Sequence, residues 1–183
     1  MTPIRTVGHG AHPQDEFLDL LAGAGIEAIV DVRRFPGSRR HPHFGRDAMT
    51  GWLKDAGVAY RWEPELGGRR SPQPDSPHLA LRNAGFRAYA DHMESPGFTT
   101  ALDELVGDGN DEATAVLCAE GLWWNCHRRL LADALVLRRQ VDVEHVLPDG
   151  RTAGHEPTEG VRVDGDRLVY DVGVTPPLDG LSA

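Results

Sequence analysis

Short apolar runs that end in glycine or in charge alternate along this chain with segments whose apolar residues recur every three to four positions. Ile4 to Val7 reads as a buried strand closing on Gly8-His9-Gly10, where two glycines let backbone approach a ligand. Pro13 suits the first position of a helix with Phe17, Leu20, Leu21 and Ala24 on one face, and Gly25 stops it. Ala28 to Val32 begins with a continuous apolar run, as expected of a parallel strand covered on both faces, so strand, helix and strand make a βαβ unit. The pattern then predicts a helix over 47–56, with Trp52 and Leu53 inward, and a strand over 58–62. A long proline-rich loop runs from Glu65 to about Asn83. Two helices follow: one from Gly85-Phe86 with Phe86, Tyr89, Ala90 and Met93 on one face, and one capped by Ser95 and opened by Pro96. Gly107 to Asp111 reads as an acidic turn. Ala115 to Cys118 is a fourth strand, 127–139 a helix, and Val141 to Val146 a fifth strand. After the turn Pro148-Asp149-Gly150, alternation around Asp164-Gly165 predicts a hairpin, and the last eight residues are expected to fray.

These elements imply an α/β fold: a single domain with a mostly parallel sheet of about five strands flanked by helices, and a C-terminal hairpin. The α/β domain is expected over 1–150, with 151–183 as a C-terminal extension whose hairpin packs on the same domain.

Composition narrows the function classes. The 183 residues carry a net charge of -9, which argues against a protein that coats nucleic acid with its whole surface. No apolar run approaches the ~20 residues of a membrane span, and the first residues lack the apolar core of a signal peptide, so a cytoplasmic protein without a membrane partner is expected. Two cysteines are too few for a disulfide scaffold. Basic charge is concentrated in one place. Arg33 to Arg46 holds five arginines, two histidines and no acid, at the carboxyl end of a strand, where open α/β sheets place their ligands. Such a loop, with Ser38, Arg39 and Arg40 in it, points to anion binding by planar guanidinium groups.

The richest chemistry lies between Ala115 and Leu131. Both cysteines are here, with Glu120, His127, Arg128 and Arg129, at a strand-to-helix turn whose free N–H groups attract anions. Cys126, near a helix start beside His127 and Arg128, is placed for a lowered thiol pKa. Glu120 is close enough in sequence to orient Arg128 or to move a proton. Core packing is the competing role for both thiols. Cys118, Glu120, Cys126 and His127 are all permissible zinc ligands, but their spacing is not that of a knuckle and adjacent Cys and His rarely reach one ion, so no metal is expected. Dinucleotide, Walker, nucleophile-elbow and zincin motifs are absent.

A resemblance joins these pieces. T-V-G-H-G, D-V-R-R-F-P-G-S-R-R, E-L-G-G-R-R, G-F-R-A-Y-A-D-H-M, L-C-A-E-G-L-W-W-N-C-H-R-R-L-L-A-D-A-L and V-E-H-V-L-P-D-G, in this order over roughly residues 4–150, resemble a bacterial and archaeal family known as domain of unknown function 488. The resemblance implies a compact α/β domain. It maps recurrent motif positions to Gly8, His9, Asp31, Arg33, Pro36 and Ser38, to Leu66, Gly67, Gly68 and Tyr89, and to Cys118, Glu120, Cys126, His127 and Arg128. Many are polar residues at strand ends, which favours an enzyme or ligand-binding protein over a purely structural one.

The resulting expectation is an enzyme or ligand-binding protein acting on an anionic, phosphate-bearing and nucleotide-like substrate at a strand-end pocket. Glu120, Cys126, Cys118 and His9 are the catalytic candidates; Asp31, Arg33, Ser38, Arg39, Arg40, His127 and Arg128 are the binding candidates. Asp31, Arg33, Glu120 and Arg128 should converge on one pocket. A nucleic-acid-binding accessory domain, with Trp123 or Tyr89 stacked on a base, and an inert interaction domain are the alternatives. A small anionic ligand is favoured over nucleic acid as partner. The cofactor, the reaction and the oligomeric state cannot be read from the sequence.

Overall fold

The computed structural model describes residues 2–174. Eight strands and five α-helices follow one another: β1 (Ile4–Gly8), α1 (Gln14–Gly23), β2 (Ala28–Asp31), α2 (Arg46–Asp55), β3 (Ala59–Trp62), α3 (Ala84–His92), α4 (Pro96–Asp111), β4 (Thr114–Cys118), α5 (Arg128–Arg139), β5 (Val143–Val146), β6 (Thr152–Gly154), β7 (Val161–Asp164) and β8 (Arg167–Tyr170). Six strands form one sheet in the order β3-β2-β4-β1-β5-β6, and β7 and β8 form the expected hairpin. β1 to β5 are mutually parallel; β6 pairs antiparallel with β5. The architecture is therefore the α/β fold expected, with one strand more than the apolar pattern signals. Thr152-Ala153-Gly154 has no β-branched or aromatic run to announce it.

The apolar faces pack as two layers. Phe17 and Leu21 of α1 and Met49 and Leu53 of α2 meet Val7, Ile29 and Leu117 on one side of the sheet. On the other, Phe98, Leu102 and Leu105 of α4 and Leu130, Leu131 and Leu135 of α5 meet Ile4, Val30 and Val116. Leu168 and Tyr170 of the hairpin are buried in this second cluster, so the hairpin shares the main core.

Two local expectations change. Gly107 to Asp111 is not a turn but the last part of α4. Gly109 serves packing there: a Cβ at this position would stand 2.8 Å from Ile4 Cγ1, so the missing side chain lets helix and strand close on each other. The fifth strand begins at Val143 rather than Val141, because Gln140 ends α5 in the left-handed region at φ 56°. The expected fraying of the last eight residues concerns positions outside the described ones.

The strand order positions the site. β1 leads through α1 to β2 on one side, while its neighbour β4 leads through α5 to β5 on the other. The chain thus leaves the carboxyl ends of β1 and β4 in opposite directions, and α/β sheets form a ligand crevice at such a reversal.

Candidate active site

A cleft of about 560 Å³ opens at that reversal. His9 follows β1, Arg33 to Phe35 with Gly37 and Ser38 follow β2, Cys118 ends β4, and Glu120, Cys126 and His127 follow it. Gly68 and Arg69 close it from the loop after β3, and Asn83, Gly85 and Phe86 from the start of α3. Seven sequence-predicted residues line this space: His9, Arg33, Ser38, Cys118, Glu120, Cys126 and His127. Asp31 and Arg128 stand behind the lining, fully buried against Arg33 and Cys126. Arg39 and Arg40 are exposed and lie outside the lining.

Arg33 is held almost completely out of water by Asp31. The carboxylate accepts from Arg33 N at 3.0 Å, Nε at 2.8 Å and Nη2 at 2.6 Å, and from the Tyr60 hydroxyl at 2.8 Å. The other arm, Nη1, donates to the Phe44 carbonyl at 2.8 Å and meets His9 Nε2 at 3.2 Å. His9 Nδ1 donates to the Gly10 carbonyl at 2.9 Å, so Nε2 is the acceptor from Arg33 and both ring nitrogens are engaged. Burial and the Arg33 charge push His9 down to about 4. His9 is a neutral wall of the cleft, stacked on Phe44 at 4.2 Å.

The thiols sit beside each other, nearly buried. Cys126 Sγ receives Arg128 Nε at 3.4 Å and lies 3.6 Å from His127 Nδ1. The Cys118 sulfur lies within 4.8 Å of it. Cys118, with His127 and Arg128, holds Cys126 well below the ordinary thiol value. Cys126 and burial drive Cys118 well above it. Arg128 gives an independent reason. Its guanidinium is fully buried, and among the described residues it has no carboxylate partner. Nη2 donates to the backbone carbonyl of Glu120, and to that of Gly121 at 3.5 Å; Nη1 has no partner. A buried charge needs a counter-charge, and the Cys126 thiolate is the one in reach. Glu120 therefore orients Arg128 through its carbonyl, not through its carboxylate, which stands exposed in the cleft.

Backbone glycines make this geometry feasible. A Cβ on Gly8 would overlap the Glu120 carbonyl and stand 2.8 Å from Arg128 Nη2. A Cβ on Gly67 would come within 2.6 Å of the Val32 carbonyl, and one on Gly68 within 2.8 Å of His127 Nδ1. Tyr89 donates to the Leu66 carbonyl at 2.8 Å and packs on His127 at 4.9 Å. The Leu66-Gly67-Gly68 segment is thus a clamp on the His127 ring, and Arg34 Nη1 ties it to the basic loop through the Arg69 carbonyl at 2.7 Å.

Cys118, Cys126 and His127 present ligand atoms that all lie within 4.8 Å of one another. The fold thus gathers donors that their spacing sets apart, and these are the groups a soft metal would use. Arg128 against Cys126 already supplies one positive charge there and opposes a second.

Residues 13–135 match the model of a family described as domain of unknown function DUF488. The chain belongs to the DUF488 family. No curated protein and no solved structure matches it. The match spans every cleft residue of this DUF488 protein except His9, and it leaves out β5 and everything after it.

That unmatched part supports the turn from below. Thr6 Oγ1 donates to His145 Nδ1 at 2.7 Å, His145 Nε2 to His155 Nδ1 at 3.0 Å, and His155 Nε2 to Asp133 Oδ1 at 2.8 Å. Asp133 also accepts from Tyr170 Oη and Thr158 N, each at 2.9 Å. Trp123 lies flat on His145 at 3.9 Å, and its carbonyl receives Cys126 N at 3.1 Å. Scattered over five elements and loops, this chain of buried groups carries no sequence motif.

Burial, His155 and Arg128 push His145 down to about 3. His9 and His145 are therefore neutral in the folded DUF488 protein at pH values where the unfolded chain, at about 6.5, binds protons. The unfolded state binds roughly two more protons near pH 5, so stability falls on acidification through this window by about 2.5 kcal/mol per pH unit from these two groups. Urea unfolding at pH 6.5 and 5 measures the fall, and His145→Asn should remove about half of this contribution.

Proposed function

We propose that this protein is a thiol-dependent enzyme acting on an anionic, phosphate-bearing small molecule in the strand-end cleft, with Cys126 as the nucleophile. The observation that carries the reading is the buried Arg128, whose counter-charge is the Cys126 sulfur 3.4 Å away. A thiolate, not a thiol, attacks electrophiles. Here it is held by Arg128 and His127 and faces a cleft that a small molecule can enter. The lining supports an anionic substrate. Arg34 and Arg69 stand against a single acidic side chain of the lining, Glu120, in a protein whose net charge is -9, while the Arg33 charge is met by Asp31 behind it.

The roles follow from position. Arg34, Arg69 and Ser38 bind the anionic group, and Arg33, its N–H groups taken by Asp31, Phe44, His9 and Met49, is the fixed wall beside them. Cys126 donates its sulfur lone pair to the electrophilic centre, and the leaving group departs with the electron pair of the broken bond. Glu120 is placed to pass a proton to the leaving group and to take one from the water that releases the product. His9 has no free ring nitrogen and serves as wall and as partner to Arg33. Arg128 and His127 hold the thiolate, Arg128 from behind the lining.

Alkylation of Cys126 by iodoacetamide, located by peptide mass mapping, tests both halves. Millimolar inorganic phosphate should slow it severalfold. The protection should weaken in Arg34→Ala with Arg69→Ala, two exposed positions. Rapid alkylation that phosphate does not change would remove the anion from the proposal; a Cys126 that stays inert in the folded protein would remove the nucleophile.

A further inference from the structure

We propose that the anion this cleft takes is carried on a planar aromatic ring, as in a nucleoside monophosphate, and that the ring stacks on Phe35. The inference rests on the cleft being an anion site and asks what fills the remainder of it.

A cleft of about 560 Å³ is far larger than a phosphate group needs, and it suits a small organic molecule. Phe35 is 64% exposed, more than any other large apolar side chain among the described residues, and it lines this cleft immediately after Arg33 and Arg34. An exposed phenylalanine next to the anion-binding arginines has no packing role to explain it. The Arg34 guanidinium lies 5.7 Å from its ring centroid. Phe86 contributes a second ring to the same cleft from the start of α3, with the Arg129 guanidinium 5.3 Å from it. Two aromatic rings, each with a cation against it, border a space lined by arginines.

Other aromatic residues do not offer a face to the cleft; Trp124 is exposed but lies outside its lining. Trp123 lies on His145, and Tyr89 is fully buried with its hydroxyl on Leu66. A polar group suited to a base edge stands nearby instead. Asn83 caps α3 with its side-chain oxygen, which accepts from Gly85 N and Phe86 N, so its amide N–H groups remain to donate. The ring edge of a nucleobase, with carbonyl and ring-nitrogen acceptors, fits such a donor. A sugar phosphate alone would leave most of the Phe35 ring in water.

Calorimetric titration of the whole protein with AMP, UMP, ribose 5-phosphate and inorganic phosphate tests this. At least one nucleoside monophosphate should bind about tenfold or more tighter than ribose 5-phosphate, the range expected for a base on an aromatic ring. Phe35→Ala should abolish that advantage while leaving the affinity for ribose 5-phosphate unchanged, and Phe35→Trp should keep it. Equal binding of the nucleotides and ribose 5-phosphate would overturn the aromatic assignment and leave the anion site standing. Absence of binding by all four would overturn both.

Discussion

Gly8→Ala is expected to cost at least ~3 kcal/mol, at or beyond the upper end of what overpacking usually does, and to remove Cys126 reactivity with it. The single added carbon would occupy the place of the Glu120 carbonyl and press on Arg128 Nη2. Both neighbours are fixed. The carbonyl belongs to backbone that accepts Arg128, and Arg128 is fully buried. Relief requires the β4–α5 turn to lift, which carries Arg128 away from Cys126. Gly51→Ala, inside α2 with nothing within 4 Å of its Cβ, is the control and should gain up to ~1 kcal/mol. Chemical unfolding of the two variants measures the contrast, and equal stability would mean that the turn does not ride on β1 as described.

The second large effect separates a charge from a packing role. If Cys126 were a small apolar side chain, Cys126→Ala would cost about 1 kcal/mol, the scale of one buried methylene. As the counter-charge of Arg128, its removal leaves a guanidinium buried and unpaired, and the expected loss is about 3–5 kcal/mol. The test lies in the pair. Cys126→Ala with Arg128→Met removes both charges and should recover more than half of that loss, a coupling that two independent packing defects would not show. Additive losses would mean that Arg128 finds its compensation elsewhere. Cys118→Ala, which leaves the Arg128–Cys126 contact in place, should cost less than Cys126→Ala.

Why some of this was readable in the chain and some was not follows from the distance over which each signal acts. Helices and parallel strands announce themselves within a dozen residues: Phe17, Leu20, Leu21 and Ala24 fall at helical spacing, and Ala28-Ile29-Val30 is an unbroken apolar run. The site was legible to the same extent, because strand ends are where such folds bind, and His9, Arg33 and Cys118 each stand at or just beyond one. Charge composition alone does not separate Arg33, gripped by Asp31, from Arg39 and Arg40 in solvent a few residues on. Periodicity assigned Phe86 to the core face of α3, yet its place at the first turn leaves it partly exposed to the cleft. The glycines and acids over 107–111 spell a turn, yet the segment is helix, with Gly109 closed against Ile4, a contact 105 positions away in the chain that no local pattern shows. The Asp133–His155–His145–Thr6 chain joins residues up to 139 positions apart and exists only in the folded state.

The account turns on whether Cys126 is a thiolate in the folded protein. The most direct measurement is the rate of Cys126 alkylation as a function of pH, followed peptide by peptide. The midpoint should lie well below the ordinary thiol value of 9.0, and Arg128→Met should move it upward. A midpoint at or above 9.0 in the native protein, unmoved by that substitution, would contradict the assignment of Cys126 as the counter-charge and the nucleophile.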